Sequence, residues 1–272
     1  MNAAVSGFED YLEFLQSLGA RTGEQFLIGG QAVNFWAEYF DHQGRPDELR
    51  ALRPFTSRDC DIWVSPKAWR ELQNAASARL VSGISPADGQ LGILTLSESP
   101  PRVVDFMSGV CGFRHDEHGR LCQRAPVFSG VKVIDPIFLF RGKCHCLLDL
   151  DQTDRQDARH VKMLSLILPE YLSSLIDNVL NAKSSEANLP PGGGLSFEGP
   201  EQFSERDILK EIKLLKKILS TNTCRRALEQ LEINSDTLIP WSRMKASGLE
   251  ALAAFARTQR DPGPHTSKSA GR

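Results

Sequence analysis

The spacing of apolar and polar positions changes period several times along the chain, and each change marks an element. Phe8, Leu12 and Leu15 recur at helical spacing, which predicts a helix over residues 6–19 closed by Gly19. "QFLIGG" is a short apolar run ending in a glycine pair, the pattern of a buried strand. In "QAVNFWAEYF", Val33, Trp36, Ala37 and Phe40 form one helical stripe. "DHQGRPDELRALRP" is polar and predicts a long loop or insertion. "CDIWV" predicts the next strand. "SPKAWRELQNAASARL" predicts a helix with Ser65 as N-cap and Pro66 in the first turn. "GILTLS" and "RVVDFMSGV" alternate as paired strands, and "PVFSGVKVID" predicts more strand. "DPIFLFRGKCHCLLDL" opens on Asp-Pro and predicts a helix.

Beyond about residue 150 the strand signal stops. Residues 154–168 and 170–181 read as two helices separated by Pro169, which a helix interior does not take without a kink. "KSSEANLPPGGGLSFEGP" has the composition of a linker. Ile208, Ile212, Leu215 and Leu219 then mark a helix beginning near Ser204, their stripe packing in a core. Residues 223–232 and 241–258 predict two more. The organisation expected is a mixed α/β (α+β) core over 1–150, a small mixed sheet flanked by helices. A helical extension over 151–182, a linker over 183–203, a helical region over 204–258 and a disordered tail over 259–272 follow it.

Composition narrows this only a little. The chain has 272 residues, 24% of them charged and 41% apolar, which permits a sizeable core. The net charge of −2 offers no general argument for nucleic acid or membrane. From residue 201 onward, however, thirteen Lys/Arg against nine Asp/Glu give +4, leaving −6 for the rest. Lys210, Lys213, Lys216, Lys217, Arg225 and Arg226 could meet RNA phosphates, but interspersed acids favour a solvated face. No run approaches the roughly 18 consecutive apolar residues of a membrane span, and no signal peptide is expected at the N-terminus. The six cysteines read as reduced cytosolic thiols, so a cytoplasmic protein is expected.

The chemistry concentrates in three places. Ile28-Gly29-Gly30 joins a strand to a helix, and a glycine pair there lets a ligand approach backbone N–H groups at the positive end of the helix. In "FTSRDCDIWV", Asp59 and Asp61 fall on one strand face, with Cys60, Ile62 and Val64 on the other. Two like charges there call for solvent or a cation. Asp105 in "RVVDFM" lies on a further strand. Three carboxylates beside a phosphate-binding turn suit a hard divalent cation such as Mg²⁺ and metal-assisted nucleotidyl transfer.

The order of strand, Gly-Gly, helix, D-x-D strand and later strand aspartate resembles the DNA polymerase β-type nucleotidyltransferase superfamily. "IGGQAVNFW" and "FTSRDCDIWV" resemble most the corresponding segments of its AbiEii-type toxin family. So does "VIDPIFLFRGKCHCLLDLDQTDRQDARHVKML", with a helix lysine followed by an arginine and an aspartate. The resemblance spans about residues 25–168. It implies that Asp59, Asp61 and Asp105 hold two Mg²⁺ ions, with Asp105 as general base. It also implies that Gly29, Gly30, Thr56, Ser57, Lys143 and Arg155 bind the NTP, and that Lys143 and Asp157 are catalytic. By the same resemblance the acceptor is a tRNA 3′ end and the partner a cognate antitoxin. The chain departs from the family in three ways. There are 28 residues between Gly30 and Asp59 where the short form has about ten; Gly30 stands where many relatives carry a serine hydroxyl; and Gln156 replaces a lysine. A non-catalytic nucleotide-binding or protein-interaction relative remains the alternative.

One rival cluster is Cys111, His115, His118 and Cys122 in "CGFRHDEHGRLC", whose spacing is that of possible zinc ligands. The spacing fits no zinc module, and the polar residues between them predict a solvated hairpin tip. Cys144, His145 and Cys146 lie on one predicted helix, where positions i and i+2 diverge.

Overall fold

The computed structural model describes residues 5–44, 46–75, 80–85, 89–184, 197–198 and 204–246. Most of the expected linker, the distal part of the helix expected over 241–258 and the tail lie outside these residues. Within them the chain is α/β: a mixed five-strand sheet with helices, followed by a largely helical C-terminal region.

The sheet is built from β1 (Gln25–Leu27), β2 (Cys60–Val64), β3 (Leu80–Ser85), β4 (Gln90–Glu98) and β5 (Pro101–Met107), in the order β1-β2-β5-β4-β3. Only β2 and β5 run parallel. Cys60 and Ile62 alternate inward and are fully buried, opposite Val104 and Phe106. The helix α1 (Leu12–Arg21) precedes β1, and α2 (Gly29–His42) follows it directly. The face of α2 bearing Val33, Trp36, Ala37 and Phe40 is buried, and the Trp36 indole donates to the Ile134 carbonyl at 2.9 Å. Asp135 caps α6 (Pro136–Asp149) by accepting from the backbone N–H groups of Ile137 and Phe138, as Asp-Pro predicts. The long helix α7 (Asp157–Ser184) packs on α2 and α6.

The C-terminal helices close the core from the far side. In α8 (Glu205–Leu219), Ser204 and Asp207 form a capping box, and Ile208, Ile212 and Leu215 are fully buried. With α9 (Asn222–Gln230), α8 packs against α6 and α7. Arg124 fixes this contact by donating to Glu211 of α8 at 3.0 Å and to Asp135 at 2.6 Å.

Five local expectations are corrected. Gly19 does not end α1, which runs to Arg21; a side chain there would overlap the Gly130 carbonyl, so this glycine permits a close backbone approach. The polar insertion contains a short helix, α3 (Asp47–Arg50), and its Arg50 and Arg53 grip buried Asp41 of α2. The helix predicted through Leu80 is α4 (Pro66–Ala75), described only to Ala75, and Leu80 opens β3, which pairs with the otherwise open edge of β4. The expected hairpin tip is helical, ending in α5 (His118–Arg124), because Glu117 accepts from the Arg114 N–H and His118 is buried near Trp63. Finally, α7 is a single helix through Pro169. The proline lies on its partly exposed face, where the carbonyl that loses its donor can reach water, while Leu168 and Leu172 anchor the buried side.

By length, and by the mean hydropathy of its most apolar 18-residue stretch (1.2), the part of α7 from Asp157 to Leu180 would pass as a membrane span. Its Val161, Leu164, Ile167, Leu168 and Ile176 are instead buried in the shared core.

Candidate metal centre

A cleft of about 910 Å³ opens between the β2–β5 end of the sheet, the first turn of α2, α6 and the start of α7. The parallel pairing sets Asp61 directly beside Asp105. Asp59 immediately precedes β2, so alternation returns it to the face that carries Asp61. Carboxylate oxygens of the three converge within 4.8 Å of one another, and each residue is half-buried. Among the described residues, theirs is the group of carboxylate, imidazole or thiol side chains that could hold a metal ion.

The electrostatics of this wall follow from its composition. Burial, then the charge of Asp59, lifts the Asp61 carboxyl to about 8, with Asp105 adding to the rise and Lys143 opposing it. Burial and Asp59 likewise lift Asp105 to about 6, against a 3.1 Å hydrogen bond donated by Gln90. Oxygen donors gathered in this way, with Asp61 and Asp105 resisting ionisation in the free protein, fit a hard divalent cation, which would relieve that resistance.

The glycine turn is built against this wall. The Ile28 N–H donates to the Asp61 carbonyl at 2.9 Å, carrying the β1–β2 ladder up to the turn. Gly29 has φ +67°, and a Cβ there would overlap the Asp61 carboxylate, so only glycine fits. A Cβ on Gly30 would collide with the Ser57 hydroxyl and come within 3.2 Å of His160 Cε1. The Ser57 hydroxyl thus lies against the turn, and it donates to Asp59 at 3.4 Å. Ser57 is pinned by a two-way bridge to Ser6, at 2.9 and 3.0 Å. Arg159 of α7 also donates to the carbonyls of Leu52 and Pro54 just upstream. No side chain caps α2, whose first turn faces the cleft. The 28 residues between Gly30 and Asp59 form α2, α3 and this pinned loop. Thr56 is not among the residues lining the cleft; Ser57 is.

The opposite wall is cationic and internally paired. Lys143 on α6 donates to Asp157 at 2.9 Å, and Arg155 donates to the other Asp157 oxygen at 2.6 Å. Burial alone would raise the Asp157 carboxyl. The neighbouring His160 ring, Lys143 and Arg155 outweigh it and hold the group well below the usual carboxylate range. Burial opposes the charge on Lys143, but Cys146, Asp157 and Asp61 keep its ammonium above the ordinary value. Neighbouring Cys111 and then Lys143 draw the Cys146 thiol down to about 7.

The expected residues Gly29, Gly30, Ser57, Asp59, Asp61, Lys143, Arg155 and Asp157 all line this cleft. Asp105 joins them through its contact with the triad. His160 was not expected. It stands three residues after Asp157 on α7, a spacing that puts both on one helix face. The rival Cys/His set does not converge: Cys111 faces Cys146, His118 accepts from the Val110 N–H, and Cys122 donates to the Gly23 carbonyl.

Compared with models of known protein families and with curated proteins, the chain matches none.

Proposed function

We propose that the protein is a Mg²⁺-dependent nucleotidyltransferase that moves a nucleoside monophosphate from an NTP to an acceptor hydroxyl. The observation that carries this reading is the convergence of Asp59, Asp61 and Asp105 within 4.8 Å beside an uncapped glycine turn. Asp59, Asp61 and Asp105 would hold Mg²⁺, which supplies Lewis acidity at phosphate oxygens and neutralises charge as the leaving group departs. Backbone N–H groups of the first turn of α2 bind phosphate oxygens, favoured by the helix dipole. Lys143, held by Asp157, adds positive potential at the cleft. Asp105 takes the proton of the acceptor hydroxyl, the role that the resemblance implies for it.

The resemblance to AbiEii-type toxins carries the reading further. A tRNA 3′ end is the proposed acceptor, a cognate antitoxin the proposed partner, and the cytoplasm the proposed location. Incubation with each labelled NTP and total RNA tests this, with Asp59→Ala/Asp61→Ala as control. Label on RNA that the double variant abolishes is the expected result. No label from any NTP, or equal label from the variant, sinks the proposal and favours a non-catalytic nucleotide-binding or interaction protein.

A further inference from the structure

His160 is a buried polar side chain in the cleft whose chemistry the mechanism above leaves unused. It is 4% exposed, and neither ring nitrogen has a hydrogen-bond partner. Its Nδ1 stops 3.9 Å from the nearer Asp157 oxygen, beyond hydrogen-bond reach. Its Cε1 edge abuts the first turn of α2, within 3.2 Å of where a Gly30 side chain would begin. A buried imidazole with two unmet nitrogens costs free energy, so the position needs a compensating partner. The uncapped N-terminus of the 14-residue helix α2 lies beside it, as does the Ser57 hydroxyl. Backbone N–H groups and an imidazole therefore border one small space, beside the Ser57 hydroxyl that donates to Asp59 at 3.4 Å, and the complementary occupant is an anion rich in acceptor oxygens.

We propose that His160 is a ligand-binding residue that contacts a phosphate oxygen of the polyphosphate held at the first turn of α2. The proposal rests on the nucleotidyltransferase reading for the identity of that anion. In the free protein, burial and the nearby Lys143 ammonium keep the ring neutral, its pKa lowered to about 4. The charged groups facing it are Asp157 and Arg159 from α7 and Lys143 from α6; the loop before β2 contributes the uncharged Ser57. A phosphate at the turn places a second anion beside the Cε1 edge of the ring. Flanked by two anions, the ring takes up a proton and donates Nε2–H to phosphate, while Nδ1–H faces Asp157 across 3.9 Å as an ion pair. His160 would then couple the ion-paired wall of the cleft to the ligand.

The test uses the full chain, Mg²⁺ and inorganic tripolyphosphate, followed by calorimetry and by ¹⁵N resonances of the histidine rings. In the wild-type chain, both His160 nitrogens are expected to move to the protonated pattern on saturation. His160→Phe is expected to weaken tripolyphosphate binding about tenfold, and His160→Gln, which keeps one donor, by less. Unchanged His160 resonances on saturation overturn the inference even if His160→Phe fails to fold. Equal affinity in a folded His160→Phe chain also overturns it while leaving the nucleotidyltransferase reading intact. No binding of tripolyphosphate by the wild-type chain overturns both. Binding through His160 with no transfer in the labelling assay upholds this inference and sinks only the reading of the reaction.

Discussion

The two walls of the cleft are both charged and both partly withdrawn from water, yet they are built on opposite terms. On the sheet side, Asp59, Asp61 and Asp105 crowd like charges together with no protein cation bonded to them, and two of the three carboxyls rise far above their usual range. On the helix side, Asp157 sits between Lys143 and Arg155 and its carboxyl falls far below that range. The carboxylate of the helix wall finds its counter-charges within the protein. The sheet wall is complete only with something positive added. A fold that needed carboxylates merely for stability would have paired them as Asp157 is paired, so the contrast points to the sheet wall as the place where the fold trades stability for binding.

Substitutions of the same chemical kind should therefore have opposite effects on the two walls. Asp157→Asn leaves Lys143 buried without a counter-charge and is expected to cost about 3–5 kcal/mol in urea unfolding. Asp61→Asn relieves repulsion and is expected to gain about 1–2 kcal/mol in metal-free buffer, a gain that added Mg²⁺ cancels by stabilising only the wild-type chain. If both variants lose stability equally in EDTA, the distinction between the walls is broken.

The pH dependence sharpens the same contrast. Asp61 has a folded pKa of about 8 against an unfolded value of 3.8, so the folded state binds its proton more tightly. Its effect on metal-free stability is most favourable below the unfolded value and is lost as pH rises toward 8. Asp157 is depressed, so its contribution is present above the unfolded value and is lost only as pH falls through a much lower folded one. Melting temperatures compared across pH 5–8 in EDTA should fall more for the wild type than for Asp61→Asn. Stabilisation by Mg²⁺ should grow over the same interval, because the ion displaces a proton whose hold weakens. Mg²⁺ stabilisation that is flat with pH would show that the triad is not the binding site.

Much of this was legible in the chain. The strand alternation of "RDCDIWV" put Asp59 and Asp61 on one face, and both do reach the cleft. The Gly29-Gly30 turn and the helix opening at Asp135-Pro136 were readable because each depends on a residue and its immediate neighbours. What was not legible depends on packing between distant segments. Gly19 looked like a helix stop because local spacing does not reveal the Gly130 backbone against it. Pro169 looked like a break because its position on the outer face of α7 is set by α2 and α6. Thr56 and Ser57 could not be told apart, since only the bridge to Ser6 turns Ser57 toward the glycine turn.

The sequence by itself determined the periodic elements, the capping of α6 and α8, and the presence of three carboxylates at strand positions. Periodicity and capping are local, and the i to i+2 and i to i+4 relations that encode them need no knowledge of the fold. Only the tertiary structure decided that Asp61 and Asp105 stand side by side, through the parallel register of β2 and β5 across more than forty residues. It also decided that the Ser57 side chain lies against Gly30, and that His160 faces the same turn with both nitrogens unmet. Those facts arise from long-range pairing and close packing, where the position of each side chain is fixed by atoms that are remote in the chain.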